Sequence, residues 1–137
     1  MSNVKEIVEG LTAAWNAHDA RQVESFYAPD CEDMDTALRE PQCGSARIRK
    51  LMNYYLRAFP DVQVTVNEMV CDGDRAALSW TWRGTHRGRF MNIPPTHRRV
   101  TVHGATFVTL RRGLIHRVER VWDVAGLLRA LGLLPEL

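Results

Sequence analysis

Apolar residues recur at helical spacing at the start of the chain. Val4, Ile7, Val8, Leu11, Ala14 and Trp15 form one stripe after a Ser/Asn start. Asn16-Ala17-His18-Asp19 interrupts it. Asp19 with Gln22 suits a capping box for a short second helix carrying Val23, Phe26 and Tyr27, which Pro29 ends. Residues 31–38 are ambiguous, with room for one short strand. A third stripe (Ile48, Leu51, Met52, Tyr55, Leu56) follows Ser45 as its expected cap and closes at Phe59-Pro60-Asp61.

From Val62 the period changes to two. Val62, Val64 and Val66 alternate with polar neighbours, and Asp72-Gly73-Asp74 is a hairpin turn signal. Leu78, Trp80 and Trp82 continue the alternation. A polar loop holds Ile93-Pro94-Pro95-Thr96. Val100, Val102, Gly104, Thr106, Val108 and Leu110 mark the next strand, and Arg112-Gly113 turns it into a last strand from Leu114 to Trp122. Asp123 suits the N-cap of a small helix, Val124–Leu131, ended by Gly132 and Pro135. Helices followed by a long antiparallel meander predict an α+β fold, helices against one sheet face, in one domain over 1–137.

On the late strands the even positions are the apolar ones and form the expected core face. Two polar residues interrupt that face on the last strand, His116 and Arg120, and His86 extends the even series beyond Trp82. A cation on a core face is costly unless it is paired or meets a wet cavity. Either a pocket lies between sheet and helices with Arg120 and His116 in its wall, or a bulge turns Arg120 outward. The pocket reading takes its acidic partners from Glu32-Asp33-Met34-Asp35. Trp80, Trp82 and Trp122 are then core or pocket wall, and Tyr55 offers its hydroxyl to the pocket. His86 reads equally as a group at the mouth or as a structural anchor.

Composition narrows the class. The chain has 137 residues, 45% of them apolar, which excludes disorder. No uncharged apolar run approaches a membrane span, and the N-terminus lacks a signal-peptide core, so no membrane role is expected. Cys31, Cys43 and Cys71 form no CxxC and read as reduced thiols of a cytoplasmic protein. Five scattered histidines predict no metal site. The net charge of +2 hides a split: residues 1–82 carry eight basic and thirteen acidic groups, residues 83–137 ten and three. The arginines suit solubility, subunit contacts or attraction of an anionic substrate better than nucleic acid, because the tryptophans alternate toward the core and leave no stacking platform.

Four stretches carry a family resemblance: Ala14-Trp15-Asn16 with Tyr27-Ala28-Pro29-Asp30, Gly84-Thr85-His86-Arg87-Gly88, Ile93-Pro94-Pro95-Thr96-His97-Arg98-Arg99, and Trp122-Asp123-Val124-Ala125-Gly126-Leu127-Leu128-Arg129-Ala130-Leu131-Gly132. In order and spacing the chain resembles the SnoaL-like polyketide cyclases of the nuclear-transport-factor-like superfamily. The resemblance implies a cone-shaped α+β barrel, its curved antiparallel sheet enclosing the helices and a pocket. It also implies a cofactor-free enzyme and a homodimer or higher homo-oligomer. Such cyclases close a ring by aldol condensation, with a carboxylate base in an apolar pocket and donors for the enolate oxygen. At the position of their catalytic Asp this chain has Arg120. Their histidines correspond to Thr106 and Val118, and an asparagine to Asp33. Trp15 and Asp33 fall where the resembling enzymes keep pocket residues.

The expected catalytic set is therefore Asp33, His116 and Arg120. Trp15, Asp35, Tyr55, Trp80 and Trp82 are expected to contact substrate, as are His86, Thr106, Val118 and Trp122. The expected activity is proton transfer, cyclisation or isomerisation of a polyketide-like carbonyl compound, aromatic or anionic. The alternatives are a hydroxylase- or hydrolase-like member with altered chemistry, and a non-catalytic ligand-binding or interaction module of the same fold.

Overall fold

Asn3 opens the first helix: its Oδ1 accepts the Glu6 N–H at 2.9 Å, satisfying an otherwise orphaned first-turn donor. The computed structural model describes residues 3–137. In chain order these form α1 (Val4–Asn16), α2 (Ala20–Ser25), β1 (Tyr27–Asp35), β2 (Gln42–Cys43), α3 (Ser45–Ala58), β3 (Gln63–Asp72), β4 (Arg75–Thr85), β5 (Arg99–Arg111), β6 (Leu114–Trp122) and α4 (Val124–Ala130). Asp19 caps α2 by accepting the Gln22 N–H. Asn16 ends α1 by clamping β3: its Oδ1 accepts the Val64 N–H at 2.7 Å, and its Nδ2 donates to the Val64 carbonyl at 2.9 Å.

The strands make one six-stranded sheet in the order β2-β1-β6-β5-β4-β3. Strands β3 to β6 are the expected antiparallel meander. Strand β1 departs from it. It runs parallel to β6, so the sheet is mixed, and it stays open between the edge strands β2 and β3 rather than closing into a barrel.

Three local differences from the sequence reading have physical causes. Tyr27 belongs to β1, not to the second helix, because it pairs with Ile115 of β6 and that non-local pairing overrides a short helical pattern. Pro29 sits where the β1–β6 register slips, where a missing N–H costs no ladder bond. Ser45 starts α3 without capping it. The cap position is Gly44, at φ +94°, which favours glycine.

The third difference sets the site. Thr109 pairs with Arg117 but Leu110 pairs with Ile115, so β6 carries one extra residue, His116. This bulge inverts the inward parity. Beyond it Val118, Arg120 and Trp122 face the helices; before it Ile115 does. One core cluster gathers around Val8, Val23, Ile48, Met52 and Ile115, and a second around Phe59, Trp82, Phe90, Val102 and Leu127. The outer sheet face is not wholly polar: Phe107 and Val121 are exposed on it. Among the described residues no helix is long and apolar enough to cross a membrane.

Candidate active site

The concave sheet face and helices α1 and α3 line a half-open cavity of about 150 Å³. Its apolar wall includes Val8, Leu11, Val102 and Val108, and its aromatic wall Trp15, Tyr55, Trp80, Trp82 and Trp122. Among the described residues of the wall, Arg120 alone carries a full charge.

Register places this charge. Leu78, Thr106, Arg120 and Asp35 stand side by side across β4, β5, β6 and β1. Arg120 Nη2 donates to Asp33 Oδ2 at 2.9 Å, and Nη1 lies 3.6 Å from Asp35 Oδ2. Asp35 also accepts the Trp122 Nε1–H at 3.0 Å and the Ala37 N–H at 2.8 Å. Asp33 and Asp35 are both buried, behind the guanidinium. Asp33 Oδ1 is buried and has no partner. One arginine and two aspartates therefore share a buried corner, and one oxygen of Asp33 has no partner in it.

The surroundings keep Arg120 protonated. Burial alone would disfavour its charge, but the two aspartates more than reverse that and raise its pKa above the ordinary arginine value. Burial pushes the Tyr55 phenol up to about 12, against the opposing pull of Arg120. Burial likewise raises Tyr27, with Arg120 again opposing. Both phenols are neutral hydrogen-bond donors on the cavity wall.

Most of the expected site residues meet at this cavity. Trp15, Tyr55, Trp80 and Trp82 line it, as do Thr106, Val118, Arg120 and Trp122. Asp33 and Asp35 reach it through Arg120. His116 does not share the wall. It occupies the bulge and is half-buried outside the cavity. His86 does not stand at the mouth either. It is fully buried against Phe59, and its Nδ1 accepts the Thr96 N–H at 3.1 Å, with Thr96 Oγ1 at 3.0 Å. It anchors the loop between β4 and β5. Asp123 caps α4 through the Gly126 N–H at 2.8 Å.

Two contributors escaped the sequence reading. Tyr27 was hidden by its helical spacing. Gly104 carried a signal, since a glycine inside a strand marks close approach of another group. A Cβ there would meet the Trp80 ring at 2.3 Å.

The family model for SnoaL-like polyketide cyclase matches residues 5–131. The chain belongs to the SnoaL-like polyketide cyclase family. Solved structures similar to it include AclR, a proposed hydroxylase from Streptomyces galilaeus, at 32% identity and TM-score 0.86, covering 97% of this chain and 83% of AclR. TsrD from Streptomyces laurentii shares 26% identity at TM-score 0.85, covering 96% of each chain. IdmH, a proposed polyketide cyclase from Streptomyces antibioticus, shares 27% at TM-score 0.83, covering 96% of this chain and 99% of IdmH. No curated protein matches the chain significantly. In this SnoaL-like chain the Thr106 hydroxyl accepts the Trp80 Nε1–H at 2.8 Å, so it holds an indole.

Proposed function

We propose that this protein is a carbon-acid enzyme: it removes a proton beside a carbonyl of a polyketide-like substrate and directs the enolate into cyclisation or isomerisation, without a cofactor. One observation carries the reading. Arg120 is the charged group on an otherwise apolar and aromatic wall, with a carboxylate bearing a free oxygen directly behind it.

The substrate carbonyl oxygen takes hydrogen bonds from Arg120 and from the neutral Tyr55 hydroxyl. This draws the guanidinium toward the cavity and opens Asp33 Oδ1 to the adjacent C–H. Asp33 takes the proton, and the charge moving onto the oxygen is met by donors already in place. The carbanion then attacks a second carbonyl of the same molecule, and Asp33 returns its proton to the new alkoxide. Reprotonation at another carbon gives isomerisation instead. A positioned base is worth about 10²–10⁴-fold and an oxyanion donor about 10²–10³-fold.

Deuterium uptake from D₂O into phenylacetone, a slow-exchanging one-ring ketone, tests this reading. The protein is expected to accelerate uptake over buffer, and Asp33→Asn to abolish the gain. Binding without any acceleration would instead favour a ligand-binding module. The 32% identity to a proposed hydroxylase supports a second reading. The same carbanion would be captured by dioxygen, so that R–H, O₂, two electrons and two protons give R–OH and water. That route needs a two-electron reductant, and oxygen consumption separates it from cyclisation.

A further inference from the structure

We infer that the end of the molecule built by the β4–β5 loop and the chain after α4 is a docking surface for another protein, and that it takes a segment carrying both carboxylates and apolar side chains. The surface lies outside the cavity, and the inference does not depend on the chemistry proposed above.

Cations crowd this end. Arg57, Arg87, Arg89, Arg98 and Arg99 are all exposed, and among the described residues none of them forms an ion pair. The fold gathers them. Arg87 and Gly88 donate their N–H groups to the Ala58 carbonyl at 2.9 and 3.1 Å, which seats the loop on the end of α3 beside Arg57. Gly88 permits this approach, since a Cβ there would lie 2.2 Å from the Arg57 carbonyl oxygen. The His86 N–H donates to the Arg98 carbonyl at 2.9 Å, so the two arms of the loop run side by side. The Arg98 guanidinium lies against Gly132, just past α4. Asp61 and Asp123 stand near these groups but are already occupied. Asp61 accepts the Thr85 N–H and hydroxyl, each at 2.7 Å, and Asp123 caps α4. Uncompensated cations repel one another and attract anions, and guanidinium forks pair bidentately with carboxylates.

Charge alone would fit any polyanion; the apolar groups among the arginines select a protein. Met91, at the loop tip, is 47% exposed, and Leu133 and Leu134 are 51% and 39% exposed. Met91 at φ +52° and Asn92 at φ +62° make a two-residue turn between Phe90 and Ile93. A large apolar side chain seldom takes that backbone. Here the turn is pinned from below. Phe90 is buried against Tyr54, Tyr55 and Phe59, at ring-centroid distances of 5.4, 5.4 and 5.3 Å. The Met91 N–H donates to the Tyr54 hydroxyl at 2.6 Å. The leucines follow Gly132, which Arg98 touches, so cationic and apolar groups adjoin. Arginine and methionine are enriched in protein interfaces and lysine is depleted. The lysines of this chain, Lys5 and Lys50, are elsewhere, on α1 and in the first half of α3. Phosphate contacts would leave the three apolar side chains unused, and no Phe, Tyr or Trp is exposed at this end for base stacking.

The surface also adjoins the cavity. Phe90 packs on Tyr55, and α4 supplies Leu127 to the wall. A partner seated here touches two elements that shape the cavity, the position suited to a protein that delivers or receives the substrate.

Selection from a random peptide library against the immobilised protein tests the inference. Enriched peptides are expected to carry Asp or Glu together with Leu, Ile or Phe, and to bind more weakly as salt is raised. Fluorescence titration of an enriched peptide then locates the site. Arg87→Gln/Arg89→Gln/Arg98→Gln should weaken it about tenfold or more. Arg111→Gln/Arg112→Gln/Arg117→Gln removes the same charge from the other end of β5 and β6 and should change it by less than about twofold. Met91→Asn with Leu133→Gln leaves the charge unchanged and should weaken binding about fivefold or more. Asparagine suits the left-handed turn, so this pair separates lost contact from lost fold.

Equal losses in the two arginine sets overturn the inference, because net charge alone is then being read. So does an enriched pool without acidic residues, an unchanged affinity in the Met91→Asn/Leu133→Gln protein, or no enrichment at all. A DNA duplex that binds more tightly than the peptide would make the occupant a nucleic acid. Dissociation of an oligomer by the Arg87/Arg89/Arg98 substitutions, read by sedimentation, would make it a second copy of this chain. Either result overturns the assignment of the surface to another protein.

Discussion

The structure buries polar chemistry in two corners, and they differ in where their spare atoms face. Around Arg120, two carboxylates hold a cation whose guanidinium forms cavity wall, and one oxygen of Asp33 is left free. Around His86, the ring is sealed between Phe59 and the Thr96 backbone, away from the cavity. Both corners cost desolvation. Only the first meets a space that a ligand can enter. Burial of a titratable group is therefore no sign of a site by itself; burial beside an apolar cavity is.

Removing the cation should give the largest effect. Arg120→Met strands two buried carboxylates and is expected to lower unfolding stability by about 3–5 kcal/mol in urea titrations. Neutralising both partners as well, with Asp33→Asn and Asp35→Asn, should recover most of that loss. If Arg120→Met is as stable as the wild type, the corner is wet and the account of it fails.

The sealed corner should respond in stability alone. His86→Ala leaves the Thr96 N–H without its acceptor and opens a void, at a cost of about 2–3 kcal/mol. Phenylacetone affinity should be unchanged. Burial pushes the folded-state pKa of His86 below its ordinary value. The unfolded chain takes up a proton near pH 6.5 while the folded one resists. This group's contribution to stability is therefore intact above about pH 6.5 and is lost as pH falls toward the folded pKa. The urea midpoint should drop between pH 7.5 and 5.5, and drop less in His86→Ala.

How far the two corners were legible in the sequence follows from the same contrast. Arg120 could be placed because the alternation from Val118 to Trp122 is unbroken. His116, four residues earlier, could not: one extra residue reverses the faces, and nothing in Leu114-Ile115-His116-Arg117 announces it. The meander was readable from turns and period. The parallel pairing of β1 with β6 was not, since it joins segments more than 80 residues apart and displaces Tyr27 from a plausible helix. It is also what brings Asp33 and Asp35 to Arg120. The acids were named correctly from their nearness to the covering helix, while the pairing that delivers them depends on tertiary structure. The sealing of His86 depends likewise on loop packing.

The smallest effect concerns Asp123, which adjoins Trp122 of the cavity wall yet serves as a helix cap. Asp123→Ala should cost about 1 kcal/mol and leave activity intact. A loss of turnover larger than the loss of folded protein would move Asp123 from the structural to the chemical side of the comparison.

The most direct test of the Arg120 corner is the rate of deuterium uptake at the α-carbon of phenylacetone, followed by NMR in wild type, Asp33→Asn and His116→Ala. The account predicts acceleration over buffer by the wild type and by His116→Ala alike. Asp33→Asn should lose it by about 10²-fold or more while still binding phenylacetone. Wild-type exchange no faster than buffer, or full exchange in Asp33→Asn, would contradict it.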